Sequence, residues 1–168
     1  LITSIILREQ TKKSFTYLNF YKRRARRILP ALFFVLLATI PLAWVFLMPR
    51  EMSDYGKSIL STLFFYSNFQ FWSEDPYWAT AGELKPLLHT WSLAVEEQYY
   101  VFIPLMLTVL HRFWKGGILP VSLALFVGSF GLALFWTPAH GQDTFYLLPF
   151  RLWELMAGGI LAWVEINR

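Results

Sequence analysis

The fold is decided by residues 28–49, which read ILPALFFVLLATIPLAWVFLMP and include no charge in 22 positions. As a helix, such a stretch crosses about 30 Å of hydrocarbon. A basic cluster, Lys22-Arg-Arg-Ala-Arg-Arg27, precedes it directly. Because Lys and Arg are retained in cytoplasmic segments, the cluster predicts a span that starts in the cytoplasm and leads outward.

The composition is that of a polytopic membrane protein, with 56% hydrophobic and 15% charged residues. The net charge of +4 does not indicate nucleic-acid binding. Eight of the fifteen Lys and Arg residues fall between Arg8 and Arg27, in a polar connector that we interpret as a topology anchor. The absence of cysteine excludes disulfides and thiolate metal sites.

Three further uncharged or weakly charged runs predict membrane spans: Leu87–Leu110, Gly116–Ala139 and Tyr146–Val164. The sixteen uncharged residues Ser58–Ser73 are slightly short for a crossing. Lys22–Arg27 and Arg112–Lys115 both look cytoplasmic, so an even number of crossings must separate them. Ser58–Ser73 is therefore expected to be re-entrant or interfacial.

These features predict an all-α fold, a polytopic transmembrane helical bundle. Between the first span and Ser58–Ser73, residues Arg50–Lys57 are expected to form a short external loop with two cations and two anions. The apolar residues Leu1–Leu7 look like the end of a span already under way. We therefore interpret residues 1–168 as an internal fragment of one transmembrane domain.

Residues 87–100, LLHTWSLAVEEQYY, place ionisable side chains inside a predicted span. Such groups cost a few kcal/mol at membrane depth, so they indicate a polar cavity or a charged partner. A helix that begins after Pro86 carries on one side, or on its flank, His89, Ser92, Glu96, Glu97 and Tyr100. Alternatively, the carboxylates pair with arginines of other helices, and His89 caps or packs.

Arg151 and Glu154 lie one turn apart in the last span. One alternative is that the two residues form a local ion pair. The other is that Arg151 serves as the counter-charge for Glu96 or Glu97, or as an anion clamp. The following Gly158-Gly159 predicts close helix packing. The three histidines lie on different segments without ligand spacing, so no metal site is expected.

Three motifs in order resemble the acyltransferase-3 family of integral membrane acyltransferases: FYKRRARRILPAL at 20–32, LHTWSLAVEEQYY at 88–100 and FRLWELMAGG at 150–159. The resemblance implies a bundle of roughly ten helices in the bacterial inner membrane. It implies transfer of an acyl group, commonly acetyl, from acyl-coenzyme A to a hydroxyl of a surface carbohydrate such as lipopolysaccharide. The family's first helix, with the histidine usually regarded as catalytic, is expected outside residues 1–168.

The resemblance also assigns roles to residues. The family's motifs map onto Arg24 and Arg27, then His89, Trp91, Ser92, Glu96 and Glu97, then Arg151 and Glu154. Acyl transfer needs a base and stabilisation of an oxyanion. His89 is expected to be an auxiliary base or substrate ligand, oriented by Glu96 or Glu97. Arg24 and Arg27 either bind the coenzyme A phosphates or serve only as topology anchors.

Two other classes of function stay open on the residues alone. A transporter or flippase of lipid-linked saccharide would use His89, Glu96 and Arg151 as a proton relay. A non-catalytic scaffold would tolerate neutralisation of Glu96 and Glu97. Binding of coenzyme A separates an acyltransferase from a flippase.

Overall fold

The computed structural model describes residues 2–12, 14–74 and 85–166, and within these ranges all regular structure is helical. This confirms the predicted all-α fold. The α-helices follow in the order α1 (Ile2–Thr11), α2 (Tyr17–Phe46), α3 (Pro49–Leu63), α4 (Ser67–Trp72), α5 (Thr90–Phe113), α6 (Ile118–Trp136), α7 (Gly141–Tyr146) and α8 (Leu148–Ile166).

Four segments of the described residues are long and apolar enough to cross a membrane: α2, α5, α6, and α7 with α8 taken together as Gly141–Ile166. They coincide with the four spans predicted from hydropathy. Large apolar side chains on these helices are exposed, for example Phe34 (73%), Trp44 (78%) and Phe135 (88%). Such surfaces suit contact with lipid, so the chain is part of a multi-pass membrane protein.

The chain divides into two compact units, and the division falls within α5, between Val95 and Glu96. One unit comprises residues 17–95 and is called the α2–α4 unit here. The other comprises residues 1–16 and 96–168 and is called the α6–α8 unit.

The core of the α2–α4 unit is built by α2. Its buried residues Leu32, Leu36 and Ala43 pack with Tyr55 of α3 and with Leu87. The Tyr55 hydroxyl lies 2.7 Å from that of Thr39 in α2, so its polar end is satisfied. The basic cluster is helical and continuous with the span, which leaves residues 12–16 between α1 and α2. The predicted connector at 8–27 is therefore much shorter than expected.

The prediction of a loop at Arg50–Lys57 is wrong, because these residues form the first half of α3. Pro49 occupies the first helical position, where the missing N–H costs nothing. The Glu51 carboxylate accepts the Met48 backbone N–H at 2.8 Å, as in a capping box. Pro49 and Glu51 are visible in the sequence as helix-start signals, and the segment is helical although four of its residues are charged.

The segment Ser58–Ser73 is not one helix. After α3 ends at Leu63, the backbone amide of Tyr66 bonds the Ser61 carbonyl at 2.9 Å, and that of Phe65 bonds Thr62 at 3.2 Å. Phe65 has a left-handed φ of 54°, so the turn is a Schellman motif with phenylalanine where glycine is usual. Neither α3 nor α4 is among the candidate spans of the described residues, and the re-entrant or interfacial placement of this segment stays a prediction.

In the α6–α8 unit, α6 packs along α8, and α1 packs against α8 as well. Phe126 and Phe130 of α6 meet the Trp153 ring of α8 at centroid distances of 6.3 and 5.1 Å. Between α1 and α5, the Gln10 amide donates to the Thr108 hydroxyl at 2.9 Å. Aromatic contacts and hydrogen bonds such as this one thus connect helices that otherwise present apolar surfaces.

Candidate functional site

The stretch that carries His89 is a tight turn and not the first turn of a helix. Backbone amides of Leu88, Thr90 and Trp91 bond carbonyls three residues earlier, and α5 begins only at Thr90. The expected helix start after Pro86 is therefore wrong by a few residues. One reason is local: the Thr90 hydroxyl donates to the Leu87 carbonyl at 2.8 Å, which favours the turn over a helix.

A cluster of hydroxyl groups holds this turn in the α2–α4 unit. The hydroxyls of Thr62 in α3 and Thr90 in α5 lie 2.8 Å apart. The Ser67 hydroxyl of α4 donates to the Thr90 carbonyl at 3.0 Å. Thr62 and Ser67 are fully buried, so these bonds are shielded from water. These bonds hold Thr90 against α3 and α4, and they thereby also position the neighbouring residue, His89.

The predicted residues around this turn differ in exposure. His89 and Ser92 are exposed, whereas Trp91 is buried at 8%. The Ser92 hydroxyl donates to the His89 carbonyl at 3.1 Å, so it is engaged with the backbone of the turn. The His89 imidazole is accessible, as a base or a substrate ligand must be.

Glu96 and Glu97 are half-buried in α5, within a candidate membrane span. The Tyr100 hydroxyl points to Glu96 Oε2 at 3.4 Å, a long hydrogen bond within one helical turn. A carboxylate has about four lone-pair sites, so Glu96 can accept hydrogen bonds in addition to this one. The role of Glu96 or Glu97 in orienting an imidazolium stays a prediction.

Arg24 and Arg27 lie in the first turns of α2, just before its uncharged part. Arg24 is half-buried and Arg27 is exposed. Because they are one helical turn apart, both guanidinium groups project from the same side of the helix. Two neighbouring cations at the start of a membrane span suit either a phosphate-bearing ligand or a topology anchor.

Arg151 and Glu154 form a local ion pair. The Arg151 guanidinium donates to both carboxylate oxygens of Glu154, at 2.8 Å from Nη2 to Oε2 and 3.2 Å from Nη2 to Oε1. It also lies 3.5 Å from the Phe145 carbonyl and over the Phe145 ring at 5.8 Å. The local pair predicted as one alternative is therefore present. A second role as counter-charge for Glu96 or Glu97 stays a prediction.

A polar pocket that the sequence did not indicate lies in the α2–α4 unit, with a volume of about 620 Å³. Its charged lining comes from α3 and from the segments that follow α4 and precede α5. The lining residues are Arg50, Glu51, Asp54, Tyr55, Lys57, Ser58, Ser73, Glu74, Lys85 and Pro86. The signal available in the sequence is the charge on both sides of Ser58–Ser73, of which the part at Arg50–Lys57 was predicted to be a loop.

Two ion pairs shape this pocket. Lys57 Nζ donates to Asp54 at 2.8 Å on α3, and this hydrogen bond lowers the pKa of the Asp54 carboxyl below its ordinary value. Lys85 Nζ lies 3.1 Å from Glu74, where both side chains are about a quarter exposed. Gln70 donates to Glu74 at 2.9 Å and to Ser58 at 3.1 Å. The pocket wall is thus a connected polar network.

Comparison with known proteins identifies the family of this chain. A family model described as an acyltransferase domain, that of the acyltransferase-3 family, matches residues 1–163. The chain belongs to the acyltransferase-3 family. The match includes the basic cluster at the start of α2, the turn at His89 with α5, and the Arg151–Glu154 pair of α8.

Two relatives illustrate the range of the family. The chain is 29% identical to O-acetyltransferase OatA of Staphylococcus aureus over 98% of its own length and 28% of that protein. It is 33% identical to an uncharacterized protein of Haemophilus influenzae over 96% of its length and 69% of that protein. The chain thus spans little more than a quarter of the length of the O-acetyltransferase that it matches. No solved structure matches it significantly.

Proposed function

We propose that the protein carrying this chain transfers an acyl group, acetyl in the first instance, from acyl-coenzyme A to a hydroxyl of a cell-surface carbohydrate. The observation that carries the proposal is the family match over residues 1–163, with its His89–Glu97 motif at the start of span α5. The relative named O-acetyltransferase supports a hydroxyl as acceptor. The basic cluster before the span supports a multi-pass protein of the bacterial inner membrane.

The reaction joins the acceptor oxygen to the thioester carbonyl carbon and breaks the carbon–sulfur bond. A base takes the hydroxyl proton, and the coenzyme A thiolate leaves and is protonated. His89 is accessible and serves as base or substrate ligand, with Glu96 or Glu97 to orient an imidazolium. Arg24 and Arg27 bind the phosphates of the donor at the cytoplasmic end of α2.

The test uses the full-length protein in nanodiscs, radiolabelled acetyl-coenzyme A and oligosaccharides released from the envelope of the producing cell. Wild-type protein should release coenzyme A and label the oligosaccharide. His89→Ala should lower the transfer rate about 100-fold or more, the usual scale for loss of a general base, and Glu96→Gln should lower it too because the imidazolium loses its orienting carboxylate. Glu165→Gln, exposed near the end of α8, is the charge control and should keep wild-type transfer.

Wild-type transfer by both variants at normal expression would remove the catalytic role of this motif. A wild-type protein that binds no coenzyme A and moves lipid-linked saccharide between leaflets would be a flippase, and the proposed function would be wrong.

A further inference from the structure

The polar pocket lies toward the end of α2 that is opposite the basic cluster, since the hydroxyl of its lining residue Tyr55 is 2.7 Å from that of Thr39 in the last third of α2. α2 carries Arg24 and Arg27 in its first turns and ends at Phe46, and the pocket begins four residues later with Arg50. The basic cluster precedes the uncharged part of α2, and Arg50 follows it. If the basic cluster is cytoplasmic, the pocket opens on the extracytoplasmic side of the membrane.

The described residues that line this pocket carry charges of both signs. Three cations, Arg50, Lys57 and Lys85, face three carboxylates, Glu51, Asp54 and Glu74. Because carboxylates accompany the cations in this lining, it differs from a site for an anion such as a free phosphate. Its dense array of donors and acceptors instead matches a ligand with many hydroxyl groups, each of which both donates and accepts.

The volume and walls fit a small saccharide. About 620 Å³ lies within the range of small-molecule sites, roughly 300–1,000 Å³. The hydroxyls of Ser58 and Ser73 and part of Tyr55 add further polar and aromatic surface. Asp54 is a carboxylate whose pKa the Lys57 hydrogen bond holds below its ordinary value, so it is an acceptor-only group for sugar hydroxyls.

Part of the pocket is pre-organised and part is accessible. Glu74 is held by Lys85 at 3.1 Å and by Gln70 at 2.9 Å. Arg50 and Asp54 are exposed at the rim of the same pocket. A fixed wall with exposed charged groups at its edge is suited to orient a hydrophilic ligand that arrives from water.

We propose that this pocket between α3, α4 and the start of α5 is the extracytoplasmic docking site for the carbohydrate acceptor. The inference rests on the proposed function for the identity of the ligand. It assigns recognition of the acceptor to Arg50, Asp54 and Glu74. None of these residues belongs to the motifs that carry the family resemblance.

The first experiment measures occupancy without catalysis. Residues 1–168 include no cysteine, so single cysteines can be placed by Ser73→Cys in the pocket and by Ser53→Cys on α3 outside it. Any cysteine elsewhere in the full-length protein is replaced first. Both variants, in spheroplasts, are treated with a membrane-impermeant maleimide with and without the envelope oligosaccharides.

Both cysteines should be labelled from outside. At ten times its Kd, the oligosaccharide should slow labelling of Ser73→Cys about tenfold and leave Ser53→Cys unchanged. Equal labelling of both variants at saturating oligosaccharide, or labelling of Ser73→Cys only from the cytoplasmic side, would overturn the inference. Protection by inorganic phosphate but not by oligosaccharide would overturn it too, in favour of an anion site.

The second experiment uses transfer kinetics. Arg50→Gln and Asp54→Asn should each raise the KM for the oligosaccharide about tenfold, the effect of losing one charged hydrogen bond. The KM for acetyl-coenzyme A should not change, and Ser53→Ala should alter neither constant. If the wild type transfers acetyl and both variants keep the wild-type KM for the oligosaccharide, the docking site is wrong and the proposed function stands. Absence of any transfer by the wild type overturns the proposed function, while the labelling experiment still decides whether the pocket binds saccharide.

Discussion

The hydroxyl of Ser129 on α6 donates to the carbonyl of Pro149 on α8 at 2.7 Å. The same oxygen accepts the backbone N–H of Trp153 at 3.0 Å. In an uninterrupted helix, that N–H would bond the Pro149 carbonyl directly. A side chain of α6 is therefore inserted into the backbone ladder of α8, at the turn that carries Arg151.

Ser129→Ala should destabilise the protein by about 1–3 kcal/mol, because two backbone groups of α8 lose their partner in a buried place. Ser122→Ala is the control, since Ser122 is also buried on α6. Thermal unfolding in detergent measures both. Equal unfolding midpoints for the two variants would contradict the bridging role.

The two neighbouring glycines of α8 should respond differently to substitution. A Cβ at Gly159 would lie 3.1 Å from the Thr3 hydroxyl and 3.4 Å from the Tyr99 hydroxyl, whereas a Cβ at Gly158 meets nothing within 4 Å. Gly159→Val should cost about 1–3 kcal/mol through overpacking against α1 and α5. Gly158→Val should change stability by less than about 1 kcal/mol.

Comparison of unfolding midpoints for the two valine variants checks this difference. Similar changes in both variants would contradict a specific contact of Gly159 with α1 and α5, since the propensity change from glycine to valine is the same at both positions.

The hydroxyl cluster at the start of α5 should show energetic coupling. Thr62→Val and Thr90→Val each remove one partner of the 2.8 Å contact and keep the side-chain shape. Each should cost about 1 kcal/mol, and the double variant should cost less than the sum by about 0.5–1 kcal/mol. A double-mutant cycle on unfolding free energies measures the coupling.

Thr137→Val combined with Thr90→Val provides the control cycle, because Thr137 is exposed at the end of α6. Its effects should be additive. Additivity in both cycles would show that the Thr62–Thr90 contact contributes nothing.

Arg151 should matter more than Glu154 for stability. Glu154 is exposed and bonded to Arg151, whereas Arg151 also contacts the carbonyl and ring of Phe145. Glu154→Gln should cost less than about 1 kcal/mol, as exposed ion pairs do. Arg151→Gln should cost more, and Arg151→Lys should lie between them because it keeps the charge without the planar fork.

Thermal unfolding of the three variants tests the order. If Glu154→Gln were as costly as Arg151→Gln, the ion pair alone would account for both residues.

Hydropathy was sufficient to locate the spans, because a stretch that crosses lipid must be apolar over its whole length whatever its neighbours are. The boundaries were less accurate. Arg50–Lys57 looked like a loop because of its charges, yet Pro49 and Glu51 start a helix there. His89 was placed on a helical face, but side-chain bonds made by Thr90 shift the helix start beyond it.

The break between α3 and α4 could not be predicted from local signals. A left-handed residue is usually glycine, and here it is Phe65, whose ring packs against the core of the α2–α4 unit. Likewise, nothing in the sequence distinguishes Gly159 from Gly158 or Ser129 from Ser122. Their roles depend on which residues of distant helices come close.

By itself, the sequence determined that the chain is a helical membrane protein and which motifs it shares with its family. Both properties depend on runs of consecutive residues, because a membrane span must be apolar along its length and a motif is a short contiguous sequence. Only the tertiary structure decided that charged residues around Ser58–Ser73 enclose a pocket, and that single hydroxyls connect α6 to α8 and α3 to α5. These contacts join residues far apart in the chain, and their free energy depends on distances that no local pattern encodes.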